Sequence, residues 1–213
     1  MKEYERKDIR SYVLRTSRLS NLQKKAIEIF SDKYCIPFSK NFLNFKQVFN
    51  NSNPVVLEIG FGMGHATLEI AETNINKNYI GIEVHTPGVG KVLNQIDINN
   101  LSNLKVIRND AVEVIRSMIA PGSLEGVHIF FPDPWPKKKH HKRRLINEGF
   151  IKELSFLIKK GGYIYITTDW EDYAEKIMLV LQNIPDLYNP YKLYAEKIDW
   201  RPETSFERKG IAK

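Results

Sequence analysis

A chain of 213 residues, 42% apolar and 27% charged, can bury one large core, and its lone cysteine, Cys35, excludes an intrachain disulfide and suits a reducing compartment. No apolar run approaches membrane-spanning length and the N-terminus lacks a signal-peptide core, so a soluble, cytoplasmic protein without membrane partners is expected. The formal net charge is +7, and six of the positive charges fall within residues 137–144; without them the remainder sums to +1, so the basicity is a local patch suited to a polyanion.

Residues 1–19 are polar, with Arg6, Lys7, Arg10, Arg15 and Arg18 spaced among Tyr4, Ile9, Tyr12, Val13 and Leu14, and read as a basic arm. Ser20 and Gln23 have capping-box spacing, and Leu22, Ala26, Ile29 and Phe30 then make one apolar helical face. Asn50–Pro54 is turn-rich and divides an arm-and-helix segment, 1–50, from a second unit, 51–213. From there strand and helix alternate. Strands are predicted at Val55–Ile59, Tyr79–Val84, Leu104–Ile107, Val127–Phe131 and Tyr163–Thr168. Helices are predicted at Ala66–Ala71, at Val89–Ile98, around Val114, Ile115 and Met118, at Ile146–Ile158 (ended by Gly161-Gly162) and at Trp170–Leu181. This alternation specifies an α/β fold, a doubly wound, mostly parallel Rossmann-like sheet with helices on both faces.

Ligands in such sheets sit beyond the carboxyl ends of the strands, near the topological switch point. There the sequence places Gly60, Gly62 and Gly64, then Glu83, Asp110, Asp133 and Asp169, with Glu58 inside the end of the first strand. A dinucleotide fingerprint needs glycine at 65, where His65 stands, and a pyrophosphate would be repelled by Glu58. A ligand carrying an ammonium and a sulfonium would be attracted, and S-adenosylmethionine fits. Glu83 is placed for both ribose hydroxyls and Asp110 for the adenine amino group. Acids capping helix N-termini for structural reasons are the competing reading.

Asp133 lies between two prolines and is followed by Trp135 and then by Lys137, Lys138, Lys139, His140, His141, Lys142, Arg143 and Arg144. A rigid acid beside an aromatic plane suits a nucleobase, and the cations suit a phosphate backbone. Trp135 either stacks on the base or packs in the core. His140 and His141 lack a third convergent ligand, so no metal is expected.

Taken together these residues resemble the class I methyltransferases, and within them the bacterial tRNA (guanine-N7-)-methyltransferase family. The resemblance is carried by Ile9–Arg15, Val56–Gly64, Gly81–Gly90, Phe131–Lys137, Lys142–Arg144, Thr167–Trp170 and Thr204–Glu207. It implies Glu58, Glu83, Asp110 and Asp133 as cofactor positions, Lys137, Asp169 and Thr204, Ser205, Phe206 and Glu207 as substrate positions, and 139–144 as an RNA-contacting segment. It implies a monomer, and as substrate the variable-loop guanine at tRNA position 46. Related chains continue through a Gly-His into a closing antiparallel strand, so that strand is expected to be short or missing here. Guanine N7 has an in-plane lone pair, so its methylation needs no strong general base, and alignment and a fixed field dominate. Asp133 either stabilises charge developing on the ring or orients the base through its N1–H and N2–H₂ edge. Lys137 serves a phosphate or the guanine O6, and Asp169 the amino edge. Three rivals stand beside this reading: an exocyclic amino-methyltransferase, a non-catalytic RNA-binding subunit of the same fold, and a nicotinamide-dependent reductase, which Glu58 and His65 disfavour.

Overall fold

The computed structural model describes residues 10–13, 18–196, 198 and 200–202. The elements follow in order: α1 (Asn21–Tyr34), α2 (Phe45–Phe49), β1 (Val55–Ile59), α3 (His65–Thr73), β2 (Asn78–Ile82), α4 (Thr86–Ile98), β3 (Leu104–Ile107) and α5 (Ala111–Ser117). Then come β4 (Leu124–Phe130), a 3-10 helix (Lys138–Arg143), α6 (Glu148–Leu157), β5 (Ile158–Thr167) and α7 (Glu171–Gln182). The strands form one sheet in the order β3-β2-β1-β4-β5, and every pairing is parallel. The chain reverses its direction of travel between β1 and β4, which makes their carboxyl ends the switch-point crevice.

Alternate residues of each strand feed two cores. Leu57, Ile59, Ile82, Val127 and Ile129 pack with Ile115, Ile151, Leu154, Tyr173 and Ile177 of α5, α6 and α7. Val56, Tyr79, Val106 and Phe130 pack on the other face with Tyr34, Leu68, Ile70, Val92 and Leu93 of α1, α3 and α4. Truncating a fully buried leucine such as Leu57 or Leu93 is worth about 2–5 kcal/mol.

Local chemistry explains the element ends. Ser20 accepts from the Gln23 amide at 3.2 Å while Gln23 Oε1 accepts from the Ser20 amide at 2.9 Å, so the predicted capping box opens α1. The side-chain amide of Gln23 reaches the Pro87 carbonyl at 3.1 Å, and Tyr34 donates to Asp97 at 2.8 Å, which fastens α1 along α4. Helix α4 begins at Thr86, three residues before the predicted Val89, because Pro87 is accommodated in its first turn.

Two boundaries differ more. Strand β4 starts at Leu124, upstream of the predicted Val127. The predicted helix Ile146–Ile158 is shorter, and β5 begins at Ile158 and runs straight through Gly161-Gly162. The glycines sit at an irregularity in the β4–β5 register, not at a helix stop. Gly161 has φ +79°, and a Cβ on Gly162 would stand 2.5 Å from the Glu125 carbonyl, so this close strand approach needs a glycine.

Candidate active site

Beyond the switch point lies a cavity of about 210 Å³. Ile59 and Gly60 line it after β1, Ile82, Glu83 and Val84 at the end of β2, Asn109 and Ala111 after β3, and Ile129 to Asp133 after β4. Of the predicted strand-end positions, Gly60, Glu83 and Asp133 line it, whereas Glu58, Gly62, Gly64, Asp110 and Asp169 do not.

Glu83 is the best-fixed group there. It is 9% exposed, and its carboxylate accepts from Gly62 N–H at 2.7 Å, Val84 N–H at 2.6 Å and His85 N–H at 2.8 Å. Three backbone donors set its position before any ligand arrives and leave about one of its four lone-pair sites for hydroxyl donors. The glycine loop is shaped from below. A Cβ on Gly88 would stand 1.8 Å from the Gly62 carbonyl, so the loop rests directly on α4, whereas the Cβ directions of Gly60 and Gly62 meet nothing within 4 Å. Its outer backbone is therefore open to a ligand. His65, the first residue of α3, meets Lys91 Nζ through Nε2 at 2.6 Å.

Glu58 lies deeper. It sits on β1 across from Gly81 and His128, is 3% exposed, and is not among the cavity-lining residues. Neither its Oε2 nor Thr67 Oγ1 has a hydrogen-bond partner among the described residues. Burial pushes its pKa up to about 8; the Thr67 hydroxyl pulls the other way, and the charge of Glu83 adds to the rise. Glu58 is thus largely protonated at neutral pH in the free protein. A buried acid without its full complement of partners, beside a second acid and an open glycine loop, suits a cationic nucleoside and opposes a pyrophosphate. The residues present fit S-adenosylmethionine in this respect.

Asp110 is the N-cap of α5 and accepts from Val112 N–H at 2.9 Å, so the structural reading of this acid is realised. The Tyr12 hydroxyl's pKa is raised, first by burial and then by the negative charge of Asp110. Asp133 is exposed at the cavity rim. The turn that carries it is strained: Phe131 has φ +50° and Trp135 φ +45°, a region bulky residues avoid. It is held by surrounding bonds. Phe131 N–H donates to the Thr167 carbonyl at 2.9 Å, Arg144 Nε donates to the Pro134 carbonyl at 2.8 Å, and Trp135 Nε1 donates to the Ser11 carbonyl at 3.0 Å. Trp135 is half-buried outside both cores, with the Arg143 guanidinium 4.4 Å from its ring centre.

The basic run is a 3-10 helix on the same side of the turn. Lys137, Lys138, Lys139 and Lys142 are exposed, and His140, His141 and Arg143 are half-buried. Arg144 departs from the expected RNA-contacting role. It is 6% exposed, and its guanidinium is committed to Pro134, Asp172 and His141 while lying over the Tyr173 ring. The physical reason is its position: it is the first residue after the 3-10 helix, where the chain turns inward to Ile146. Asp172 is correspondingly held below the usual carboxylate range, first by its hydrogen bond from Arg144. Lys137 and Asp169 are exposed and do not line the cavity. Thr204, Ser205, Phe206 and Glu207 lie outside the described residues. No cluster of three metal-ligating side chains occurs among the described residues, and no helix there is long and apolar enough to cross a membrane.

Sequence reasoning missed Tyr12 and Ser11, which line the cavity, and His128. The signal for Tyr12 was an aromatic residue inside an otherwise polar arm. His128 is 1% exposed; its Nε2 meets the Tyr163 hydroxyl at 2.9 Å and its ring stacks on Trp200 at 4.8 Å. Burial, aided by Lys77, lowers its pKa to about 3, so it is a neutral packing group and no proton acceptor at pH 7.

Comparison with known proteins bears on this site. A family profile described as "Putative methyltransferase" matches residues 52–213. Among curated proteins, the tRNA (guanine-N(7)-)-methyltransferase of Nitrosospira multiformis is 49% identical over 203 residues, covering 95% of this chain and 89% of that protein. The protein of the same name from Neisseria meningitidis is 48% identical, covering 96% and 86%, and that of Chromobacterium violaceum is 50% identical, covering 95% and 90%. Among solved structures, an antibiotic-related methyltransferase aligns with TM-score 0.50 at 19% identity, over 70% of this chain and 75% of that one. The precorrin-6y C5,15-methyltransferase of Geobacter metallireducens aligns with TM-score 0.50 at 15% identity, over 75% and 81%; these two speak for the fold alone. By its matches along nearly its whole length, the chain belongs to the tRNA (guanine-N7-)-methyltransferase family.

Proposed function

We propose that this protein transfers the methyl group of S-adenosylmethionine to N7 of a guanine in tRNA, the variable-loop guanine at position 46, as a monomer in the cytoplasm. The observation that carries the reading is the meeting, at one strand end, of a carboxylate-lined cavity with a strained turn that presents Asp133 beside a basic helix. Enzymes named for this reaction that share 48–50% of the sequence support it.

S-adenosylmethionine, when bound, supplies an electrophilic methyl group on a sulfonium. Glu83 accepts the ribose hydroxyls from its fixed position, and Asp110 faces the nucleobase. Glu58, buried outside the cavity lining, would release its proton to solvent on binding of the cationic tail and so offset that charge. Asp133 stands at the rim, where positive charge builds on the guanine ring as N7 becomes alkylated, and its carboxylate stabilises that charge. No residue needs to remove a proton before attack. Lys137 and Asp169, exposed outside the cavity lining, are assigned to the substrate. Lys138, Lys139 and Lys142 supply phosphate contacts that position the RNA without reading bases. A-form RNA buries N7 in a narrow groove, so the target guanine is presented from a loop or displaced from one.

Incubation with methyl-labelled donor and unmodified tRNA, followed by digestion to nucleosides, tests the reading. Label in N7-methylguanosine is the expected result. Label on an exocyclic amine, or none with donor bound, would replace it.

A further inference from the structure

Three polar side chains are buried together on the face of the sheet that packs against α1, α3 and α4. Glu58 of β1 and His128 of β4 are register partners, so their side chains leave the same face of neighbouring strands. Thr67 lies in the first turn of α3, and its hydroxyl is one of the groups that shift Glu58. Glu58 is 3% exposed, and Thr67 and His128 are each 1% exposed. Glu58 Oε2, Thr67 Oγ1 and His128 Nδ1 all lack a hydrogen-bond partner among the described residues. Buried polar atoms are rarely left so, and a group of them marks a site completed in another state of the protein. The far side of the His128 ring is already fixed. Its Nε2 meets the Tyr163 hydroxyl of β5 at 2.9 Å, and the ring stacks on Phe130 at 5.3 Å and on Trp200 at 4.8 Å. Burial keeps the imidazole neutral and pushes the Tyr163 phenol up to about 12, so the phenol retains its proton. The charge of Glu83 opposes ionisation of Glu58, and the other titratable groups nearby, Tyr79 and His128, are neutral. An ionised Glu58 must therefore draw on neutral donors.

We propose that Thr67 and His128 are positioning residues for the donor: when its ammonium draws charge onto Glu58, the Thr67 hydroxyl and His128 Nδ1–H donate to that carboxylate. Tyr163 donates to His128 Nε2 and so keeps the imidazole proton on Nδ1. The inference rests on the role given to Glu58 in the donor site above. In the free protein Glu58 holds its own proton, and a neutral carboxyl is a weak acceptor. The ionised group forms charge-assisted bonds, which are shorter and about twice as strong. The Glu58 proton leaves to solvent, while Thr67, His128 and Tyr163 keep theirs, so the imidazole never takes up a proton that its burial refuses. The line of hydrogen bonds crosses β5, β4 and β1, three adjacent strands, and ties the edge of the sheet to the donor site. It favours only ligands with a cationic tail, because a nucleoside without one leaves Glu58 protonated.

The test is calorimetric titration of two ligands into the full chain at pH 7: S-adenosylhomocysteine, which carries the ammonium, and 5′-methylthioadenosine, which lacks the tail. His128→Phe keeps a ring in the stack, and Thr67→Val keeps the side-chain shape. Each is expected to weaken S-adenosylhomocysteine about tenfold or more and to leave methylthioadenosine within about twofold of wild type. Thr67→Ser, which retains the hydroxyl, is expected to bind both ligands as wild type does. In a Glu58→Gln background, where no charge can form, His128→Phe and Thr67→Val are expected to cost S-adenosylhomocysteine less than about twofold. The two changes lie on different elements, so either one that folds decides the matter. Equal losses for both ligands or in both backgrounds would make these residues packing groups and overturn the proposal, as would no loss at all. If Glu58→Gln binds S-adenosylhomocysteine as tightly as wild type, the role of Glu58 fails and the proposal with it, while the donor site stands. If wild type binds neither ligand, the donor site itself is wrong.

Discussion

The acidic crown and the basic helix lie side by side but are built in opposite ways. Glu58 and Glu83 are buried, at 3% and 9% exposure, and Glu83 is set by three backbone amides. Lys138, Lys139 and Lys142 project into solvent from a short 3-10 helix. Burying Glu83 costs stability during folding and leaves a field already in place when a cationic ligand enters, while burial keeps Glu58 protonated in the free protein. The lysines cost little, and their attraction is screened by salt. Arg144 joins the two regions, because it is basic in sequence yet buried and spent on holding the Asp133 turn. The difference teaches that at this site negative charge carries geometry and positive charge carries affinity.

The sharpest way to break that comparison is Asp133→Ala. If the carboxylate acts on the transition state, the methylation rate falls by about 100-fold or more while tRNA affinity stays within about twofold. Near-normal single-turnover rates would remove Asp133 from the chemistry. The basic side should respond differently. Replacing Lys138, Lys139 and Lys142 with Gln should weaken tRNA binding and flatten its salt dependence by roughly 0.7–0.9 in log–log slope for each phosphate no longer neutralised. Binding measured across a salt series reads this directly, and an unchanged slope contradicts phosphate contact. Arg144→Gln sharpens the contrast, since it should lower Tm and leave the slope nearly intact.

The smallest effect concerns Glu58 and pH. Its folded pKa, about 8, lies above the ordinary carboxylate value. Its contribution to stability is therefore fully present below the ordinary carboxylate pKa and is lost as pH rises through about 8. Glu58→Gln should leave Tm nearly unchanged near pH 4 and raise it by pH 9, by about 2–4 °C for each kcal/mol relieved. Equal Tm differences at both pH values would mean that Glu58 is ionised in the free protein.

The sheet and the convergence of Gly60, Glu83 and Asp133 were legible because strand ends follow from apolar runs, and a parallel sheet brings its ends together. The α1 start was legible because Ser20 and Gln23 are local chemistry. Gly161-Gly162 misled because a glycine pair stops a helix in isolation, whereas here the close approach of β4 demands it within a strand. Arg144 looked like its basic neighbours, and only the inward turn of the chain toward Tyr173 sets it apart. Tyr12 was hidden for a related reason. Its place in the cavity lining with Glu83 joins positions far apart along the chain, and nothing in a polar arm says where it will lie.

One measurement bears on the central claim most directly: a crystal structure of the protein soaked with S-adenosylhomocysteine. The account predicts the ligand beyond the carboxyl ends of β1, β2 and β3, with its ribose on Glu83, its adenine beside Asp110 and its amino group toward Glu58. Density for the ligand anywhere else, or a ribose turned away from Glu83, would contradict it.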